Sequence, residues 1–592
     1  MDSKKHKKNK NGEKEDHEMR RMSTLFVAVL LVVVSSGVSE AVPQYIQSPP
    51  LSQVVTAKAG DVGSGSVKVP LITWGGDIAT VYANGNQKST QRGSFFDQEG
   101  LNFVLFREDD FRKQCEMYIR GETPYLRGTL GMINMCIGAA SRDPKTKPVV
   151  VYQLTWSNGG DALVVKSGIK TPKELRGKTI AVQAYGPHVD YLAKILADAG
   201  LSIKDVNIKW TKDLTGNDNT PAAALRTDPS VHAALVIIPD ALALTSGGNT
   251  GSGAEDSVKG ARIMLSTKTA NRVIADVYAV RVDYLQAHRA EVQKFTRALM
   301  RAEEMLRDLV KNKTARQAEY RQMISAAATI LMDSPSAVAD TEGMYGDAEF
   351  VGYRGNVKFF GDPAYPRNLD KLTGEIQTSF IPLGLLSGRV ALDHARWDYK
   401  VLAQGLRDVQ GVEAPKFDTG EVAKVVTRKQ QQGTLAEGEL FSLEVYFEPN
   451  QNAFPADLYR DSFAKVVELV STYGGAVITV EGHSDPLGYL RQKKQGIPEA
   501  ALRQVEQAAK NLSLTRANAV RDSIIAYAKG KSVRLDPSQF ATVGHGIVKA
   551  KTGMCGVDPC APKTEQEWRN NMRVEFRIIQ VEAEASVFKP LQ

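Results

Sequence analysis

Apolar residues follow two rhythms along this chain. Short runs such as KTIAV (178–182) and residues 233–238 are too brief for helices and predict buried strands. Residues 191–199 instead place apolar side chains at helical spacing and stop at Gly200. From about residue 67 to 405 the two patterns alternate, which predicts an α/β fold: a mainly parallel sheet with helices on both faces. A second alternation fills 438–584. There LEVYFEPN (443–450) alternates as a strand and ends in a Pro-Asn turn, 463–473 has helical spacing, and 476–480 is a strand. A long amphipathic helix over at least 514–527 and a strand at 573–580 complete it. Residues 42–66, with Pro43, Pro49, Pro50, Gly60, Gly63 and Gly65, read as a loose tether. Residues 406–437 are polar, include Lys429, three glutamines and Gly433, and read as a linker.

The length, 592 residues, exceeds what one hydrophobic core supports, so two or three domains are expected. The first 41 residues read as an export leader. A basic stretch from Lys4 to Arg21 precedes an apolar run, residues 24–34, and a small-residue segment ending at Ala41. That run is short of the roughly 20 residues of a spanning helix. Ser39 and Ala41 fit a cleavage site before Val42, and the alternative is an uncleaved anchor over about 22–38. Either places 42–592 outside the cytoplasm, in the periplasm, free or held at the inner membrane. The net charge is +8, of which +3 lies in residues 1–22, and no Lys/Arg block follows, so nucleic acid is not an expected partner. Four cysteines form two local pairs. Cys555 and Cys560 flank a short Gly/Pro loop and predict a disulfide, which an oxidising compartment permits. Cys115 and Cys136 fit either a bridge or buried small hydrophobes. No metal-ligand cluster, cofactor motif or catalytic triad is visible.

In α/β folds ligands bind beyond the carboxyl ends of strands. Four turns qualify. The first holds Trp74, Gly76 and Asp77: a stacking face, close backbone approach and a charge. The second holds Arg127 and Thr129, the arginine being suited to bidentate pairing with an anionic group. The third holds Gly186 and His188 between a strand and a helix, with His188 read mainly as a helix-start residue, and the fourth holds Asp240.

The segments GGDALVVK (159–166), GIKTPKELRGKTIAV (168–182), AGLSIKDV (199–206), DYLQAHRAEVQKF (283–295) and FFDQEGLN (95–102) resemble SsuA-type periplasmic substrate-binding proteins. The resemblance covers about 67–405. It implies two α/β lobes joined by a hinge, lobe two near 157–272, closing on a small-molecule solute for an ABC permease or a sensor. The cysteine-rich motif of the family's enzymatic relative, a pyrimidine synthase, is absent, which argues against an enzyme.

The motifs EGHSDPLG (481–488), NLSLTRANAV (511–520), VGHG (543–546) and NMRVEF (571–576), in order over 438–584, resemble the α+β OmpA-like peptidoglycan-binding domain. The diaminopimelate of a stem peptide carries an ammonium and carboxylate, so a carboxylate and a guanidinium are needed opposite one another. The resemblance assigns these to Asp485 and Arg516, with Ser513 at a helix N-terminus and Asn571 and Arg573 as further contacts. Met572 stands where the family usually has arginine, and residues 489–511 form an insertion. The expected function is a wall-anchored periplasmic solute-binding protein that uses no cofactor. The alternative is a structural tether or stator-like component, although residues 25–34 lack the acidic group a proton-driven stator needs.

Overall fold

The computed structural model describes residues 42–579, apart from 249, 411–416, 434–438 and 440. The export-leader reading, residues 1–41, lies outside the described residues. Among those described, no helix is long and apolar enough to cross a membrane.

Two sheets build the front module. In the first, the central strand Pro148–Ser157 pairs antiparallel with Ala275–Arg281 and Ala348–Phe350, and Ala275–Arg281 pairs in turn with Tyr125–Thr129. The parallel pair Val67–Leu71 and Phe103–Arg107 lies alongside. The second sheet has the order Asn207–Thr211, Thr179–Gln183, Ala233–Ile237, Asp161–Val165, Arg262–Ser266. Its first three strands are parallel, as the strand-helix alternation predicts. Asp161–Val165 runs antiparallel to both neighbours, so the sheet is mixed. Chain direction explains this: the strand is entered directly from Pro148–Ser157 through Asn158, Gly159 and Gly160, with no helix to return the chain. The sheets are therefore two lobes, joined through 158–160 and 267–274. A disulfide between Cys115 and Cys136 joins the helices Phe111–Ile119 and Leu130–Ala140 of the first lobe.

Residues 42–66 are not the loose tether that their Pro and Gly content predicts. On the second lobe the Ile46 amide donates to the Trp210 carbonyl (3.0 Å) and the Tyr45 hydroxyl to Asp228 (2.6 Å). On the first, Leu51 and Val55 are fully buried, and Arg281 donates to the Gly60 carbonyl (2.7 Å). The segment is a strap across both lobes, held by apolar side chains scattered among its prolines.

The C-terminal sheet has the order Phe441–Tyr446, Arg573–Ile579, Val477–Gly482, Phe540–Gly544, the last pair parallel. Helices Arg460–Thr472 and Glu499–Gly530 cover one face. Strand alternation puts Val477, Thr479 and Glu481 on the other, beside Ile579, Arg577 and Glu575. The presumed linker contributes here. Within 406–437, Thr419–Gln432 is a helix, capped by the Asp418 side chain and ended by Gly433 at φ 71°. Its Val422, Val425 and Val426, at i, i+3 and i+4, pack on Val477 and Ile579. The other disulfide, Cys555–Cys560, closes a two-strand hairpin as predicted.

The C-terminal module is seated on the second lobe. Lys194 reaches Asp198 (2.9 Å) and Glu468 (2.7 Å), and the Tyr473 hydroxyl donates to Asp198 (2.9 Å). The backbones also meet: Arg272 N donates to Thr472 O (3.2 Å) and Gly475 N to Thr269 O (3.1 Å). A Cβ on Gly475 would stand 1.7 Å from the Lys268 carbonyl oxygen, so only glycine permits this approach. Gly475→Ala is expected to undock the modules without unfolding either. Small-angle scattering should give a larger radius of gyration with an unchanged circular dichroism spectrum, and an unchanged radius would contradict the packing.

Candidate functional site

The interlobe region is built around a buried arginine. Arg127, on Tyr125–Thr129, has no solvent exposure, and its Nε and Nη2 donate to the two Asp77 oxygens (3.2 and 2.7 Å) while Nη1 reaches Asp276 (2.9 Å). The expectation that Arg127 pairs with a bound anion is corrected: its bidentate partner is the chain's own Asp77. Two carboxylates share one guanidinium, and burial pushes both carboxyls upward. Trp74 extends the network, its indole donating to Thr155 Oγ1 (3.0 Å), whose hydroxyl donates to Asp276 (3.0 Å). Asp77 and Thr129 begin helices: Asp77 heads Asp77–Ala83, and Thr129 caps Leu130–Ala140 by accepting from the Met132 amide (3.1 Å).

The second lobe contributes carboxylates. Asp161 accepts from the Ser157 hydroxyl (2.6 Å) and lies 2.7 Å from His188 Nε2, with His188 Nδ1 buried and unpartnered. Both oxygens of Asp190 are buried without a side-chain partner against Gly131, and burial pushes this acid up to about 7. From the first lobe, Asp347, at the end of helix Val338–Asp347, is pushed up to about 6 by burial and then by Asp161. Asp240 is half-buried and electrostatically coupled to His188. Gly186 follows Tyr185, which sits at φ 59°, and a Cβ there would meet the Gln183 side chain. The sequence reading missed Asp161, Asp190, Asp276 and Asp347. Its available signal was an acid inside an apolar strand, as in ADVYAV (275–280). The lobes are close: a Cβ on Gly160, in the crossing, would meet the Trp74 ring at 2.6 Å, and one on the first-lobe Gly131 the Asp190 carboxyl at 2.8 Å.

In the C-terminal module Arg516 is buried, and its donors end on carbonyls: Gln451 (2.8 Å), Glu448 (3.1 Å) and, more weakly, His483 (3.4 Å). The turn after Phe447, with Asn450 at φ 58°, supplies the first two, and the Phe447 ring lies 5.1 Å under the guanidinium. Arg516 pairs with no carboxylate among the described residues, and burial brings its pKa down to about 10. Asp485, two residues after His483, accepts from the Leu487 amide (2.7 Å) and from Asn571 (3.0 Å), with Trp568 a further hydrogen-bond partner. Burial pushes its carboxyl upward.

Two expected contacts are corrected. Ser513 is not at a helix N-terminus, because the helix spans Glu499–Gly530. The insertion extends it backward from Leu512, since nothing between Pro498 and Leu512 breaks a helix. Ser513 instead accepts from the Gly546 amide (3.0 Å) and donates to the Lys510 carbonyl (2.8 Å). Arg573 points to the opposite sheet face, where its guanidinium is taken by Glu575 (2.7 Å). Met572 is buried, and the exposed Arg569 pairs with Glu448 (2.8 Å).

Residues 90–308 match the family described as NMT1/THI5 like. In the C-terminal region, 157 residues are 31% identical to outer membrane protein Omp38 of Acinetobacter baumannii, covering 26% of this chain and 37% of that protein. An Omp38 from a second strain of that organism is 29% identical over 156 residues, again 37% of its length. The chain is similar to the NMT1/THI5-like family over 90–308 and to an OmpA-family protein in its C-terminal region. It thus spans little more than a third of the length of the curated relatives it matches. Among solved structures, the fused chain is similar to the periplasmic aliphatic sulphonate binding protein SsuA of Escherichia coli, at 17% identity and a TM-score of 0.37 over 60% of this chain and 99% of that one. The alkanesulfonate-binding protein SsuA of Xanthomonas axonopodis pv. citri, bound to MOPS, matches at 15% identity and a TM-score of 0.32, over 50% of this chain and 87% of that one.

Proposed function

We propose that this chain is a periplasmic solute-binding protein held at the cell wall, working by binding and not by catalysis. The observation that carries the wall attachment is Arg516. A buried guanidinium held by carbonyls alone keeps its full charge for an incoming carboxylate, and the His483 carbonyl that it meets leads two residues on to an acid, Asp485, suited to an ammonium. A diaminopimelate stem peptide offers both groups. For the front module, the charge balance favours a cationic or neutral solute over a sulfonate or other anion. Arg127 is neutralised by Asp77 and Asp276, while Asp161 and Asp190 on the second lobe and Asp347 on the first add carboxylates. Wall attachment would hold the binder near an inner-membrane ABC permease or sensor at raised effective concentration.

A second reading is a structural tether in which the binding-protein fold serves protein contacts. Trp74 against Gly160, in a crossing between the lobes, and Gly131 against Asp190 favour it, because they fill the space between the lobes. One experiment separates the two. In thermal-shift screening of the full chain, small organic amines at about 100 times Kd should stabilise the protein by about 2.7 kcal/mol, and alkanesulfonates should not. Stabilisation by sulfonates alone would overturn the charge argument. No stabilisation by any solute, with wild-type protein still retained on peptidoglycan sacculi, would select the tether.

A further inference from the structure

The polar face of the C-terminal sheet holds a cluster that neither proposed binding role uses. Glu481 ends the strand Val477–Gly482, His483 follows it, and His545 follows the parallel neighbour Phe540–Gly544. One ligand atom from each lies within 4.8 Å of the other two. His545 Nε2 is 2.7 Å from Glu481 Oε2, and the two imidazole rings stack at 4.9 Å between centroids. Gln430 Nε2 donates to His545 Nδ1 (3.1 Å), and rotation of that amide by a half-turn offers its oxygen to Nδ1–H, the tautomer that frees Nε2 for an ion.

His483 is the unusual member. It is 1% exposed, yet neither ring nitrogen has a hydrogen-bond partner. Buried polar atoms are nearly always satisfied, and an imidazole with a vacant nitrogen facing a carboxylate and a second imidazole is a ligand set in search of a cation. A further carboxylate oxygen, Glu575 Oε1, lies 3.9 Å from His483 Nε2. A cavity of 330 Å³ opens beside the cluster, lined by Glu481, His483, Arg573, Glu575 and Arg577, which gives an ion a way in. The two guanidiniums there are matched to carboxylates: Arg573 bonds Glu575, and Arg577 bonds Glu575 and Glu439 and lies 3.4 Å from Glu481 Oε1, which leaves Oε2 toward His545.

We infer that Glu481, His483 and His545 form a binding site for a divalent transition-metal ion of the zinc class, with an open coordination position toward the cavity. Two imidazole nitrogens and one carboxylate oxygen are the ligand types such ions take, at about 2.0–2.2 Å each. Ligands in a tetrahedral set at those lengths stand roughly 3.5 Å apart, so His545 Nε2 and Glu481 Oε2, 2.7 Å apart here, separate by about an ångström as the ion comes between them. The ion ties the loop that begins at His483 and carries Asp485 to the adjacent strand and to the helix preceding the module. This inference does not rest on the wall-binding proposal.

The test uses the full chain with both disulfides intact, stripped by chelator and titrated with zinc sulfate in a calorimeter. One equivalent should bind, and His483→Ala or His545→Ala should each weaken uptake about 100-fold or more. Glu481→Gln, which keeps the shape, guards against a folding artefact and should weaken uptake as well. Cobalt substituted at the site should show the visible absorption of a four-coordinate nitrogen/oxygen centre, lost in the His483→Ala protein. Failure of the wild type to take up one equivalent, or uptake undiminished in the His483→Ala/His545→Ala double variant, would overturn the proposal. Retention on sacculi, measured on the same samples, reports on Asp485 and Arg516 separately.

Discussion

Replacing Arg516 with alanine is expected to abolish retention of the protein on peptidoglycan sacculi. Charge-assisted, bidentate contacts to a carboxylate are the strongest polar contacts a small site can make, and in this corner of the module Arg516 is the buried guanidinium without a carboxylate partner. The alanine variant also leaves the carbonyls of Gln451 and Glu448 unsatisfied, at a cost of about 1–3 kcal/mol in stability each. The companion variant Asp485→Asn avoids that ambiguity. It preserves an oxygen for the Leu487 amide while deleting the charge that an ammonium requires. Both variants should stay in the supernatant when sedimented with sacculi, and Asp485→Asn, whose NH2 then faces the Asn571 donor, should lose no more than about 1–3 kcal/mol of stability. Arg516→Lys keeps the charge without the planar fork and should be retained only weakly. Pelleting of Asp485→Asn and Arg516→Ala at the wild-type level would refute the wall assignment.

The largest stability effect is expected at Arg127. Its removal as Arg127→Met leaves Asp77 and Asp276 buried with no counter-ion, and breaking a buried ion pair from one side costs about 3–5 kcal/mol. The triple variant Arg127→Met/Asp77→Asn/Asp276→Asn should recover most of that loss, because the penalty belongs to the orphaned carboxylates and not to the missing arginine. Urea denaturation followed by tryptophan fluorescence reads both. If Arg127→Met unfolds at the wild-type midpoint, the triad is not the closed network described here.

The legible parts of this chain were those whose signal is local. The apolar runs at 178–182 and 233–238 and the helix stop at Gly200 needed only nearest neighbours, and they became Thr179–Gln183, Ala233–Ile237 and Val189–Asp198. Asp485, Asn571 and Arg516 stand out in the sequence because their motifs are compact, and Asn571 donates to Asp485 (3.0 Å). Arg127 was misjudged because its partners, Asp77 and Asp276, lie 50 and 149 residues away, and no local pattern tells a ligand-binding arginine from an internally paired one. The helix Thr419–Gln432 was read as linker because three valines among polar residues look like a solvated stretch until a sheet face is there to meet them. Ser513 was placed at a helix start by its motif, and the insertion before it moved the start to Glu499.

The seat of the C-terminal module has a mechanical consequence. Residues 267–274 cross between the lobes, as do 158–160 and the strap 42–66, and Thr269 and Arg272 within 267–274 are bonded to Gly475 and Thr472. A torsion in that crossing is transmitted to the strand leading into Val477–Gly482 through two backbone hydrogen bonds, with no slack side chain in between. The half of the clamp built on Asp161–Val165 is thus grounded to whatever the tail grips, and hinge travel is displayed by the other half. A message about the state of the lobes can leave through Gly475 without touching the covalent connection at 406–437.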